Sequence, residues 1–401
     1  MKSIYVMALL TAIAMVTSFV VFPFVLRFAK RHNIVDNPDA RKLQRVPIPL
    51  LGGVVVFSGI LMGDLVISLL IHWPVMALSM LAMAVMLVVG TWDDIKGLSP
   101  QFRFLVEVLV VGGFILLTGN YISSLHGLWG IHQLPEVVSI PLSIIAGVGI
   151  INAVNLIDGV DGYASGYGMM ACFFFALMYG TVWAPRIMCM NLMVMGALLP
   201  FFLHNVFGVR TKMFIGDGGT LMLGVLMAIL VFCALNFGNR CSTLELRGIG
   251  LLAFTLAVLC IPVFDTLRVM TARIFRGKSP FSPDKTHLHH LFIDMGFSHL
   301  GAATSILSMN LLIIAVWFVL WKAGASIDVQ TYAVVLMGLL VTAGLYKFMR
   351  KQQGGGPLDE NGCPKGTWLW HAACRIGEIS HFEKGKAWKA ISRIMDFHLW
   401  S

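Results

Sequence analysis

The sequence predicts an all-α protein, a polytopic helical bundle embedded in a membrane. Three observations decide this. Of 401 residues, 58% are apolar and only 12% are charged, about half the charge of ordinary soluble domains. Apolar runs of about 20 residues recur from end to end, enough at ~1.5 Å per residue to cross a ~30 Å hydrocarbon layer. Alternating segments of about ten residues, the signature of a membrane β-barrel, are missing.

Residues 4–26 form the first apolar run. A cleavable signal peptide is the competing reading, but no small-residue cleavage site follows. Arg27, Lys30, Arg31, Arg41, Lys42 and Arg45 follow instead, and basic clusters of this kind stay in the cytoplasm. The first helix therefore runs from outside to inside, leaving 27–47 as a cytoplasmic loop. Further spans are expected at 50–71, 74–92, 101–118, 139–155, 164–182, 186–206, 217–238, 248–270, 301–322 and 329–348, making about eleven. Under this alternation Lys96, Arg103, Arg210, Lys212 and the basic group from Arg268 to Lys285 fall on the side of the first loop. The other side holds Lys2, Arg186, Arg240, Arg247 and Lys322. The bias orients the chain with its N-terminus outside and its C-terminus in the cytoplasm; the expected location is the cytoplasmic (inner) membrane.

The net charge of +9 then reports topology and contact with the anionic bilayer surface. No nucleic-acid motif accompanies it, and no nucleic-acid partner is expected. Seven cysteines are scattered without a Cys-x-x-Cys pair, which suits small hydrophobes inside helices. Asp64, Glu107 and Asp265 lie within spans. A central acid costs ~3 kcal/mol and each large aliphatic residue returns ~0.3–0.6, so one acid per span is tolerable if it faces the bundle interior. Residues 1–350 make one membrane domain. In 351–401, the Gly- and Pro-rich stretch 352–365 reads as a linker. The segment with Trp368, Trp370, Trp388 and Trp400 leaves three readings open: an interfacial amphipathic helix, a contact surface or a partly disordered tail.

Polar residues interrupt this apolar chain at four places. Trp92-Asp93-Asp94-Ile95-Lys96 ends the third span; adjacent carboxylates suit metal or phosphate-proton chemistry because their repulsion separates their pKa values. A solvated helix end with an ion pair is the plainer alternative. Asn152, Asn155, Asp158 and Asp161 recur every third residue and form a slanted polar ridge. Their oxygens are the hard ligands Mg²⁺ prefers, one or two at a time beside water and phosphate. Gly216-Asp217-Gly218-Gly219 opens the eighth span, where glycines expose backbone N–H groups at a positive helix end. Asp217 there makes a poor phosphate partner and a good metal ligand. His287, His289 and His290 stand in the last large loop. No cysteine or glutamate at ligand spacing supports zinc, so a hydrogen-bonding lid over a diphosphate is the better reading.

Taken in order, Asp-Asp-x-x-Lys, Asn-x-x-Asn-x-x-Asp-Gly-x-Asp-Gly, Gly-Asp-Gly-Gly and His-x-His-His resemble the motifs of the polyprenyl-phosphate N-acetylhexosamine-1-phosphate transferases. The resemblance runs from about residue 30 to 300, and the segment from Asp265 to Asp284 looks like the GlcNAc-type branch. It implies transfer of a sugar-1-phosphate from a UDP-N-acetylhexosamine to undecaprenyl phosphate, releasing UMP and initiating a cell-surface polysaccharide. It implies Mg²⁺, or Mn²⁺ in its place, held by Asn155 and Asp217. Asp93 and Asp94 would handle the polyprenyl phosphate, while Asp158 and Asp161 position the nucleotide and the metal site. His287, His289 and His290 would hold the diphosphate; Lys96 completes its motif, and Asp36 and Lys42 match the first loop. A homodimer is one assembly that stays open, because the sequence does not fix the oligomeric state. Gln44 and Leu50 depart from the family pattern, which puts contacts in that loop in question. Two rivals make different predictions. A transporter needs acids near the midplane on broken helices. A CDP-alcohol phosphotransferase needs a denser Asp-Gly-x-x-Ala-Arg pattern, and Asp161-Gly-Tyr-Ala-Ser165 lacks the arginine.

Overall fold

The computed structural model describes residues 2–37, 46–71, 76–236, 241–280, 286–353, 368–381 and 385–396. After α1 (Lys2–Arg31) a short ribbon pairs β1 (Val35–Asp36) antiparallel with β2 (Ile48–Pro49). Then follow α2 (Gly52–Ile71), α3 (Ala77–Lys96), α4 (Pro100–Thr118), α5 (Glu136–Asn155), α6 (Tyr163–Thr181), α7 (Pro185–Phe207) and α8 (Gly216–Leu235). A short α9 (Ser242–Glu245) precedes α10 (Leu251–Val258), α11 (Cys260–Phe275), α12 (Leu288–Asp294), α13 (His299–Lys322) and α14 (Ile327–Leu339). The tail contributes α15 (Leu345–Gln353), α16 (Trp368–Ile379) and α17 (Lys386–Met395).

Local sequence explains several boundaries. Ser99 caps α4 by accepting the Phe102 N–H at 3.2 Å, with Pro100 in the first turn, where its missing N–H costs nothing. Ser298 and Ser326 cap α13 and α14 in the same way. The span expected at 248–270 is broken: α10 and α11 meet at 74°. Pro262 lacks the N–H that would bond Val258, so the helix bends there. Asn310 of α13 repairs the break. Its Oδ1 accepts the Ile261 N–H at 3.0 Å, and its Nδ2 donates to the carbonyls of Ala257 and Val258 at 3.1 and 3.2 Å. Water is absent at this depth in a bilayer, so such a repair is obligatory.

Nine of the described helices are long and apolar enough to span a bilayer, or ten when α10 and α11 count as one. The sequence predicts about eleven. The difference is α6, which forms where expected but fills its first two turns with Tyr163, Ser165, Gly166, Tyr167 and Gly168. At the centre stands α8, whose apolar stretch is entirely buried, flanked by α3 and α5. Glycines set its packing distance: a Cβ on Gly53 would stand 2.5 Å from Gly219 Cα, and one on Gly90 2.5 Å from the Asp217 carbonyl. Where lipid removes the hydrophobic drive between helices, such close backbone contact supplies the attraction. The fold thereby carries the ends of α3, α5 and α8 to one place.

Candidate active site

At that end of the bundle lies a cavity of about 300 Å³. Five carboxylates line it: Asp36, Asp94, Asp158, Asp161 and Asp217, joined by His290 and His299. A larger cavity, about 640 Å³, opens at the opposite end of α3 beside Arg186, with no carboxylate in its lining; size does not mark the chemistry here.

Each acid has a structural reason for its place. Residues 48–53 run beside the segment entering α8: the Phe214 N–H donates to the Pro49 carbonyl at 2.9 Å, and the Gly52 and Gly53 N–H groups donate to Phe214 and Ile215. The ribbon thus brings Asp36 to the mouth of α8. Gly216 turns in with φ of 71°, and a Cβ there would sit 2.6 Å from Asp94 Oδ2; only glycine fits. Asp94 then accepts the Gly218 N–H at 3.4 Å, lying over the positive end of α8. Gly162, at φ of 79°, donates its N–H to Asn205 Oδ1 at 2.7 Å, and Asn205 Nδ2 donates to the Met213 carbonyl at 3.0 Å. Asn205 therefore fixes the loop that presents Asp158 and Asp161.

The two loop acids differ in charge. Asp158 is open to the cavity yet deep below the surrounding protein surface. That enclosure, with the carboxylates of Asp217, Asp94, Asp161 and Asp36 nearby, pushes its carboxyl up to about 8. Burial alone would raise Asp161 too, but His299 and Lys212 outweigh it and hold the carboxyl below the ordinary value. Lys212 Nζ lies 2.6 Å from Asp161 Oδ2, and His299 Nδ1 lies 3.0 Å from the same oxygen.

Arg103 stands behind Asp217, outside the lining of this cavity. Its Nη1 lies 3.1 Å from Asp93 Oδ2 and 3.5 Å from Asp217 Oδ2, while Nε lies 3.6 Å from Glu107 Oε1. Asn152 Nδ2 donates to Glu107 Oε2, so the first residue of the polar ridge supports Arg103 rather than the cavity. Asp93 also accepts the Leu98 N–H at 2.6 Å. Asn155 donates to Thr220 Oγ1 at 2.9 Å and hydrogen-bonds Asp217. A third cavity, about 520 Å³ and mainly apolar, is lined by Arg103, Phe104, Leu156, Met270 and Arg273.

Asp93 and Asn155 thus stand behind the lining, and three further expected residues stand away from it. Lys96 is exposed, its ammonium over the Trp92 ring at 5.8 Å. His287 is buried, with Nδ1 2.9 Å from Asp265 Oδ2, and Asp265 is paired with Arg268 Nη2 at 2.6 Å. His289 is buried beneath Gly159; burial, with His290 and His287 alongside, holds it well below the ordinary imidazole value and neutral. Of the three histidines only His290 reaches the cavity. The proposed lid is thus one cavity histidine on two buried supports. Lys42 lies outside the described residues. The sequence marks no site role for Arg103, His299 and Lys212: Arg103 looks like an ordinary first-turn cation, Lys212 like a loop cation, and His299 like a first-turn residue after its cap.

Among the described residues no three His, Cys, Asp or Glu side chains converge closely enough to hold a metal ion unaided. The donor set still suits a hard cation, because Mg²⁺ takes one or two protein oxygens and completes its shell with water and phosphate. The excess of carboxylates around Asp158 supplies the electrostatic need.

Comparison with known proteins agrees with this geometry. The model of glycosyl transferase family 4 matches residues 76–235, which span Asp93 to Asp217. A probable undecaprenyl-phosphate N-acetylglucosaminyl 1-phosphate transferase of Bacillus subtilis is 30% identical over 72% of this chain and 77% of its own. An undecaprenyl-phosphate alpha-N-acetylglucosaminyl 1-phosphate transferase of Escherichia coli O157:H7 shows the same identity and coverage. A decaprenyl-phosphate N-acetylglucosaminephosphotransferase of Mycobacterium tuberculosis is 30% identical over 83% of this chain and 85% of its own. A helical membrane bundle with its acids gathered at the ends of α3, α5 and α8, and relatives of this extent, place the chain in the polyprenyl-phosphate N-acetylhexosamine-1-phosphate transferase family, as a phosphotransferase.

Proposed function

We propose that the chain transfers GlcNAc-1-phosphate from UDP-GlcNAc to undecaprenyl phosphate at the cytoplasmic face of the inner membrane, releasing UMP and initiating a cell-surface polysaccharide. One observation carries the reading beyond the relatives' names: Arg103, in the wall of the apolar cavity, lies 3.5 Å from Asp217, in the wall of the acid-lined one. A reaction between a soluble sugar nucleotide and a polyprenyl phosphate needs that pair of compartments side by side.

In this reading the polyprenyl chain lies along Phe104, Leu156 and Met270, and Arg103 with Arg273 faces its phosphate. The nucleotide occupies the cavity above α8, with His290 toward its diphosphate. An acceptor phosphate oxygen attacks the sugar-proximal phosphorus; the new P–O bond forms as the bridging P–O bond breaks, and UMP takes the electron pair. Asn155 and Asp217 would hold Mg²⁺ or Mn²⁺, which when bound offsets the charge of the two phosphates and of the leaving UMP. Asp93, tied to Arg103, fixes the guanidinium. Asp94 orders the first turn of α8. Asp161 holds Lys212 and His299 at the rim. An acceptor phosphate is largely dianionic near neutrality, since its second pKa is ~6, so no strong base is required.

The test is the purified protein with undecaprenyl phosphate, Mg²⁺ and a panel of UDP-sugars. UMP release with UDP-GlcNAc, and no CMP release when a CDP-linked lipid is offered instead, is expected. Silence across the whole panel sinks the proposal.

A further inference from the structure

The tail beyond residue 350 lies outside the stretch matched to the family model, yet it is joined to the site. Asp396, directly after α17, receives the loop between α7 and α8. Its Oδ1 accepts the N–H groups of Val209, Arg210 and Thr211 at 3.0, 3.0 and 3.1 Å, and the Thr211 hydroxyl at 3.0 Å. The Trp388 ring lies tilted against Phe207, 4.6 Å between centroids, and so meets the end of α7. The residue after Thr211 is Lys212, the cation on Asp161.

A second tail contact repeats this logic. Ser380, just past α16, accepts the Ser298 N–H at 3.0 Å, and its carbonyl accepts the Ser298 hydroxyl at 2.8 Å. Gly377 presses on this corner: a Cβ there would lie 2.5 Å from the Met295 carbonyl. The residue after Ser298 is His299, the other partner of Asp161. Both groups that hold Asp161 therefore follow, by one residue, a backbone segment held by the tail. Two separate contacts, from two tail helices, converge on one carboxylate. A carboxylate collecting four donors is a strong local restraint, and fixing the segment next to a flexible lysine narrows where its ammonium can go.

We infer that the C-terminal helices α16 and α17 form a positioning clasp, in which Asp396 and Ser380 align Lys212 and His299 on Asp161 and so set how well the site takes its sugar nucleotide. This rests on the proposed role of Asp161 in nucleotide positioning. Asp396 and Ser380 are positioning residues: they touch the groups behind the site, not the substrate.

The test uses the full chain in lipid nanodiscs as native protein, Asp396→Ala, Asp396→Asn and Ser380→Ala. Without substrate, hydrogen exchange of the 209–211 amides should quicken about tenfold in Asp396→Ala and stay near native in Asp396→Asn, which keeps the accepting oxygen. In turnover, Asp396→Ala should raise the KM for UDP-GlcNAc about five- to tenfold with kcat within about twofold, Asp396→Asn should restore most of it, and Ser380→Ala should move KM the same way. In a Lys212→Ala background, Asp396→Ala should add less than about a twofold effect, because its route to the site is gone. An equal loss in both backgrounds overturns the clasp. So does a native KM in an Asp396→Ala protein whose 209–211 amides exchange freely; if that variant does not fold, a native KM in Ser380→Ala does the same. A native chain that releases no UMP overturns the functional reading itself, and exchange, which needs no substrate, tells that failure apart.

Discussion

Burial first, and then the repulsion of four neighbouring carboxylates, fall on Asp158. Its carboxyl sits at about 8 against an ordinary 3.8. The folded state therefore binds more protons than the unfolded chain between those values, and stability falls as pH rises through that window. Replacing Asp158 with Asn should raise the melting temperature of metal-free protein by roughly 2–4 °C at pH ~8, do nothing near pH ~4, and abolish UMP release. Equal melting curves at both pH values would show that the repulsion is not there. Asp161 has the opposite sign. Its depressed carboxyl stabilises the fold above the ordinary 3.8, so the destabilisation by Asp161→Asn should persist at neutral pH and vanish only in stronger acid, in the same melting assay. Asp217→Asn should lose at least ~10²-fold in turnover while inserting and melting normally; most of the activity surviving at saturating Mg²⁺ would remove Asp217 from the metal assignment. Asp94, Asp158, Asp161 and Asp217 were readable from sequence because a polar group at the end of an oily helix needs a reason to be there. Arg103 and His299 were not, since a cation in a first helical turn is ordinary and its partner lies far along the chain. The histidine triplet misled for a geometric reason. Neighbouring residues at a helix start point ~100° apart, so His287 turns to Asp265, His289 under Gly159, and His290 to the cavity.

Helix ends were legible where caps and apolar runs coincide, as at Ser99-Pro100 and Ser298. Periodicity alone does not reveal that 248–270 is two helices; the clue, Pro262, acts only together with Asn310, some fifty residues away. The order of packing around α8 was likewise hidden, because it is set by which glycines meet. That gives a prediction at this scale. An alanine at Gly53 or Gly90 must push α8 from its neighbour, since its methyl carbon would meet backbone at 2.5 Å, and overpacking of this kind costs about 1–3 kcal/mol. Gly112 is the control: a Cβ there meets only Ile144 Cδ1, at 4.0 Å. In the same detergent, Gly53→Ala and Gly90→Ala should melt several degrees lower and lose activity, because α8 carries Asp217, while Gly112→Ala should melt at or slightly above the native temperature. Equal behaviour of all three would mean that the α3–α8 and α2–α8 crossings are loose.

Across the whole molecule, charge is sorted by end. The cavity end holds Arg27, Lys30, Lys96, Arg103, Arg210, Lys212 and Arg273, and Lys30 Nζ donates to the Arg210 carbonyl at 2.9 Å, tying α1 to the loop before α8. The far end is built differently: Glu245 lies 2.6 Å from His132 Nδ1 and 3.3 Å from His126 Nδ1, and Trp129 donates its N–H to Asp328 at 2.8 Å. Since basic loops remain in the cytoplasm during insertion, the proposed orientation puts the acid cavity where nucleotide sugars are found. Two exposed positions read it out. Leu246, 89% exposed, lies at the far end, and Phe275, 86% exposed, ends α11 on the cavity side. In a background with the native cysteines replaced by alanine, Leu246→Cys should react with a membrane-impermeant maleimide in intact spheroplasts. Phe275→Cys should react only after lysis. The reverse pattern would turn the cavity away from the cytoplasm and leave the UDP-sugar proposal without a substrate on the correct side.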